Sequence, residues 1–303
     1  VVFPGQGSQK PGMGRELYDT FESARDVFRT ADSVLSDCSV TGLCFEADDE
    51  ELRRTENTQP ALYTVSCATW RVLREQGFSS TWFAGHSLGE YTAVAAAGYL
   101  SFEDGLRIVR TRGLLMRDCD PRRLGGMAAV MGADPQVIQS VCEEVGQVYP
   151  ANLNTPRQIV ISGMKESVQA AVELLKQRGA RRAVMLNVSG PFHTPFMDDA
   201  AARLSEELER LPWKQGRGAV VSNATATPAS DPLTIRGNLV QQLNHPVLWA
   251  ESMQALSAES GRRFIEAGPG SVLKGLFRQA VPEAVVFPVE KPADLDTLRD
   301  SSS

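Results

Sequence analysis

The chain has 303 residues, 42% hydrophobic and 22% charged, an ordinary globular composition with length for one large domain or a large one carrying a smaller one. Its longest strongly apolar run, Ala93 to Leu100, is well short of the roughly 18 residues a membrane span needs. Lys and Arg number 31 against 37 Asp and Glu, and the net charge of −6 gives no reason to expect a nucleic-acid partner. The five scattered cysteines form no C-x-x-C pair and read as reduced thiols of a cytoplasmic protein; no signal peptide is expected, and three histidines (His86, His193, His245) make a structural zinc site improbable.

In chain order, Val1-Val2-Phe3 reads as a short buried strand followed by the glycine-rich turn Gly5-Gln6-Gly7. Leu17, Phe21, Ala24, Phe28, Ala31 and Leu35 then recur at spacings of four and three, the apolar face of one helix. Pro60 is read as opening a second helix that stops at Gly77. A strand over 81–84, a turn, and an alanine-rich helix from Leu88 to Gly98 follow. Ser101 and Asp104 have capping-box spacing and start a helix to about Arg117. This alternation predicts an α/β fold, a parallel sheet covered by helices.

The rhythm then changes. A strand over 126–131, a helix capped by Asp134-Pro135, strands over 148–153 and 158–162, a helix over 165–178 and a strand over 182–188 give the order β-α-β-β-α-β, that of a ferredoxin-like unit. The expected organisation is a core of 1–122 and 190–303 with a ferredoxin-like subdomain, 123–189, inserted into it. In the resumed core, helices follow Thr194-Pro195 and Asp231-Pro232, another starts at Trp249, and strands cover 219–222 and 264–267. A last helix follows Gly268-Pro269-Gly270, and the terminal serines 301–303 are expected to fray.

The strongest local signal is Gly85-His86-Ser87-Leu88-Gly89, a G-x-S-x-G sequence between a predicted strand and a predicted helix. A serine on so sharp a turn needs neighbours without side chains, and its hydroxyl projects at a helix N-terminus. There the Leu88 amide and the helix dipole favour a developing oxyanion. The plain alternative is a glycine-bounded turn; the context favours Ser87 as a nucleophile. For its base, His86 would diverge from Ser87 at the turn. His193 lies in an irregular segment between strand and helix, where catalytic groups sit, whereas His245 before Pro246 suits a helix C-cap. Chemistry alone prefers His193 to His245 without deciding, and no Asp or Glu stands out to orient it. Arg112 has Ile108, Val109 and Met116 beside it on its predicted helix, so it either snorkels or holds an anion, and snorkelling is the commoner case.

The motifs FPGQGSQ (3–9), GHSLGE (85–90), TRGLLM (111–116), GGMAAVMG (125–132), NLNTPRQIVISG (152–163), GPFHTPFM (190–197) and EAGPG (266–270) together resemble the malonyl-CoA:acyl carrier protein transacylases and related acyltransferase domains of polyketide and fatty-acid synthases, over nearly the whole chain. The resemblance implies a hydrolase-like α/β core with an inserted ferredoxin-like subdomain. It assigns Ser87 as the acyl-accepting nucleophile and His193 as its base, oriented by a main-chain carbonyl that alignment places at Gln242. Arg112 would clamp the free carboxylate of malonate, and the amides of Gln6 and Leu88 would form the oxyanion hole. Phe192 resembles the malonyl-selective pattern, a bulky ring that leaves no room for an α-methyl branch. One departure is His245, which stands where many relatives have Asn before Pro-Val.

The mechanism implied is ping-pong transfer from malonyl-CoA to acyl carrier protein with no metal or tightly bound cofactor, by a monomer serving fatty-acid synthesis. The rivals are a malonyl-specific acyltransferase of a polyketide pathway and, more distantly, a serine hydrolase. Carrier proteins are usually acidic and so is this chain, so docking needs a local basic patch, for which Arg122, Arg123, Lys274 and Arg278 are the candidates.

Overall fold

A computed structural model describes residues 1–188 and 190–301; Ser302 and Ser303, two of the serines expected to fray, lie outside the described residues, as does Ser189. In chain order the strands are β1 (Val2–Phe3), β2 (Trp82–Gly85), β3 (Gly125–Met131), β4 (Val148–Thr155), β5 (Gln158–Met164), β6 (Arg182–Met185), β7 (Ala219–Val221), β8 (Pro228–Ala229), β9 (Arg263–Ala267) and β10 (Val285–Val289). Six form one sheet in the order β10-β9-β1-β2-β7-β8, parallel except for the last pair.

Successive residues of a strand face opposite sides, and the core divides accordingly. Val2, Ala84 and Val221 pack on one side with Trp249, Met253 and Phe277 of the helices Trp249–Ser260 and Val272–Ala280. Phe3, Phe83 and Val220 pack on the other with the helices Thr55–Glu75 and Leu88–Ala96. Phe3 stands opposite Gly85, so the turns leaving β1 and β2 emerge side by side at the carboxyl edge, where open α/β sheets bind ligands.

The other four strands form an antiparallel sheet in the order β4-β5-β3-β6. Ala128, Val130, Ile159 and Ile161 face the helices Pro135–Val145 and Lys165–Gln177. The alternate residues Met127, Ala129, Gln158 and Val160 line a cleft against the first sheet. Val247 joins the two parts: its N–H donates to Ala151 O (2.8 Å) and its carbonyl accepts from Leu153 N (2.9 Å) at the edge strand β4. Among the described residues no helix is long and apolar enough to cross a membrane.

Three sequence expectations need correction. The expected helix over 17–35 is two, Arg15–Thr20 and Glu22–Val34, broken where Phe21 is extended (φ −115°, ψ 125°). Pro60 does not open its helix, which begins at Thr55; proline strands the carbonyl four residues back, and that carbonyl, Glu56 O, accepts from Arg110 Nη1 at 2.6 Å instead. The chain does not end in the helix after Gly270: β10 and the helix Pro292–Asp300 follow it. Pro288 is tolerated within β10 because β10 is an edge strand.

Candidate active site

The turn after β2 is held by close packing. A Cβ on Gly85 would lie 2.0 Å from the Gly89 carbonyl, and one on Gly89 would lie 2.2 Å from Phe3 O, so neither position admits a side chain. Between them Ser87 has φ 49° and ψ −102°, a conformation non-glycine residues rarely adopt. Asn223, just beyond β7, holds it there: its Oδ1 accepts from Ser87 N (2.6 Å) and its Nδ2 donates to Gly85 O (2.9 Å). Leu88 opens the helix Leu88–Ala96, whose first amides have no acceptor within the helix. Gln6, in the neighbouring turn after β1, lines the same cleft and accepts from Thr55 Oγ1 through its Oε1 (2.9 Å).

His193 is buried, with φ 60° in a turn closed by Thr194 Oγ1 donating to Pro191 O (2.5 Å). Its Nε2 is 2.8 Å from Ser87 Oγ and its Nδ1 is 2.7 Å from Gln242 O. A carbonyl can only accept, so Nδ1 carries the proton and the neutral ring turns its Nε2 lone pair to the serine hydroxyl. Burial, reinforced by the positive charge of Arg112, pushes the imidazole down to about 3 against the opposing pull of the Gln242 carbonyl. His86 turns away, its Nε2 2.8 Å from Asn154 Oδ1 and its ring edge-on to Trp249. His245 is exposed at the C-cap of the helix Pro232–Asn244, its Nδ1 2.7 Å from Asn244 Oδ1.

Arg112, on the helix Phe102–Asp118, does not snorkel; it is 1% exposed. Its Nη1 donates to Gln59 Oε1 (2.8 Å), and its Nη2 to Gln242 Oε1 (3.0 Å) and Ser87 Oγ (3.1 Å). Every acceptor is uncharged, and the buried Nε has no hydrogen-bond partner among the described residues. Burial lowers its pKa, yet a guanidinium stays protonated, so the site holds a fixed positive charge at the nucleophile with donor capacity to spare. Phe192, 4% exposed, folds its ring over Gly190 and lines the cleft of about 220 Å³ that holds Ser87 and His193. No group of three or more His, Cys, Asp or Glu among the described residues is placed to hold a metal ion.

Three buried residues of this site escaped the sequence reading. Gln59 precedes the proline mistaken for a helix start, and Asn223 follows a strand with no motif around it. Glu90 did leave a signal, a carboxylate inside an otherwise apolar helix, and it is 1% exposed. Its Oε2 accepts from Gln242 Nε2 (2.8 Å) and Asn223 N (3.0 Å). Burial pushes this carboxyl up to about 7 against the opposing effects of those two donors and Arg112.

Comparison with known proteins agrees with this architecture. The family described as "Acyl transferase domain" matches residues 1–295. The malonyl CoA-acyl carrier protein transacylase of Bacillus subtilis strain 168 is 44% identical, over 97% of this chain and 94% of its own length. The crystal structure of the malonyl-CoA:acyl carrier protein transacylase of Xanthomonas oryzae superposes with a TM-score of 0.95 at 42% identity, covering 99% of this chain and 96% of that one. A malonyl-transacylase solved in complex with its type II polyketide synthase acyl-carrier protein gives a TM-score of 0.96 at 38% identity, covering 99% and 98%. The chain belongs to the acyl transferase family, among the malonyl CoA-acyl carrier protein transacylases.

Proposed function

We propose that this protein transfers the malonyl group of malonyl-CoA to the phosphopantetheine thiol of an acyl carrier protein, through a malonyl ester on Ser87, in fatty-acid synthesis. The observation that carries the reading is Arg112, a buried guanidinium with only neutral acceptors, 3.1 Å from the serine hydroxyl. Such a group suits an acyl chain that ends in a carboxylate.

His193 Nε2 takes the Ser87 proton as Oγ attacks the thioester carbonyl. The tetrahedral oxyanion rests on the Gln6 and Leu88 amides, the C–S bond breaks, and CoA leaves as the thiol with the proton from His193. The carrier thiol then gives its proton to His193, attacks the ester, and Ser87 regains its hydroxyl. Ser87 and His193 are both buried, which keeps water from the ester while Arg112 holds the malonyl carboxylate. Phe192 closes the space where an α-methyl branch would lie.

In this reading the core is 1–122 with 190–303, and 123–189 is the ferredoxin-like subdomain that roofs the cleft. The chain supplies nucleophile, base, clamp and oxyanion amides itself, so no metal or tightly bound cofactor takes part. In the same reading the enzyme works as a monomer in the cytoplasm. A polyketide carrier is the second reading, favoured by the likeness to the transacylase solved with such a carrier.

The test is intact mass after brief incubation with malonyl-CoA. One malonyl adduct that carrier protein removes is expected; free CoA without an adduct would mean a hydrolase, and neither would overturn the proposal. Arg122, Arg123, Lys274 and Arg278 are all exposed, and reversing their charges is expected to raise the carrier concentration needed to unload the adduct.

The depressed imidazole predicts a flat pH profile. With its pKa moved from 6.5 to about 3, His193 stays neutral as pH falls from about 8 to about 5. An unshifted histidine would lose about 30-fold of its base form over that range. Rapid-quench measurement of the saturating acylation rate checks this. Because the Glu90 carboxyl, raised to about 7, titrates in the same range, the contradicting result is a loss centred near the ordinary histidine value that Glu90→Gln retains.

A further inference from the structure

We infer that Glu90 is a positioning residue of the transfer site, holding Gln242 and Asn223 so that the nucleophile, its base and the arginine clamp are aligned together. This rests on the function proposed above. The central observation is that both polar groups of the Ser87 backbone are pinned by side chains that lead back to one carboxylate oxygen. Ser87 N–H donates to Asn223 Oδ1, and Asn223 N–H donates to Glu90 Oε2. Ser87 C=O accepts from Gln242 Nε2, which also donates to Glu90 Oε2. The unfavourable φ and ψ of Ser87 are therefore held from both ends.

The amide of Gln242 has two N–H groups, and Ser87 O (2.7 Å) and Glu90 Oε2 (2.8 Å) use both. Its Oε1 is thereby turned to Arg112 Nη2. A flipped amide would set oxygen against a carboxylate and a carbonyl, and NH₂ against a guanidinium. An acceptor at Glu90 forbids that flip. The main-chain carbonyl of the same Gln242 receives His193 Nδ1–H. One buried acid thus fixes the residue on which Ser87, His193 and Arg112 all rest.

Glu90→Gln keeps a carbonyl oxygen able to accept both bonds, whereas Glu90→Ala removes the acceptor. Two readouts are taken on protein shown by thermal melting to be folded. The first is the rate at which a fluorophosphonate labels Ser87, which needs no acyl donor. The second is the ratio of malonyl to acetyl transfer. Glu90→Ala is expected to slow labelling by about 100-fold, the scale of loss from a small misplacement of reacting groups, and to lower the ratio as Arg112 loses its acceptor. Glu90→Gln is expected to restore both to within about 3-fold of the parent. Labelling and ratio unchanged in folded Glu90→Ala, or Glu90→Gln as impaired as Glu90→Ala, would overturn the assignment. A parent chain that is labelled but takes up no malonyl would sink the proposed substrate, while the labelling rates of the two variants still decide the role of Glu90 at the serine.

Discussion

Ser87→Ala is expected to abolish the malonyl adduct and to cut malonyl transfer by roughly 10⁴-fold or more, the scale seen when a serine nucleophile is removed. Little else in the site depends on that hydroxyl. Arg112 Nη2 keeps Gln242 Oε1 as an acceptor, His193 keeps the Gln242 carbonyl, and the Asn223 and Gln242 bonds to residue 87 involve only its backbone. Alanine is no freer than serine at φ 49°, so the turn stays as strained as before and the folded protein should melt near the parent temperature. Intact mass and single-turnover transfer measure the outcome. A full adduct on the variant would place the nucleophile elsewhere and remove the mechanism.

Arg112→Ala is expected to cost malonyl transfer about 10²–10³-fold while acetyl transfer falls far less, inverting the preference between the two donors. Truncating one partner of a buried charge pair costs about 2–5 kcal/mol, and an acetyl group offers no carboxylate to lose. A second consequence has a definite sign. The Arg112 charge is one of the causes that lower the His193 pKa, so its removal favours the imidazolium and raises that pKa. Below a raised pKa the base is lost, so the acid limb of acetyl transfer by the variant should lie at higher pH than that of the parent. Equal losses for both donors would show that Arg112 supports the fold of the site rather than the acyl carboxylate.

What could be read from the chain was what is local in it. Gly85 precedes the serine because the backbone closes on itself within four residues, and Ser101, Asp134 and Asp231 announce helices because a cap bonds an amide two or three positions on. The β-α-β-β-α-β order of 126–188 was similarly plain, since short apolar runs and capped helices follow one another along the chain. The rest depended on contacts between distant segments. Chemistry alone left His193 and His245 unresolved, and what separates them is the approach of a carbonyl 49 residues away. Glu90 and Asn223, 133 positions apart, have no joint pattern in the sequence. Pro60 misled because proline's usual meaning at a helix start was overridden by an arginine that caps the stranded carbonyl.

The joint at Val247 has a consequence for the base as well. It lies five positions after Gln242, so the carbonyl that steadies the imidazole sits on a short stretch of main chain tied by two hydrogen bonds to the edge strand β4. The seating of the antiparallel sheet and the bearing of the His193 ring therefore share one anchor.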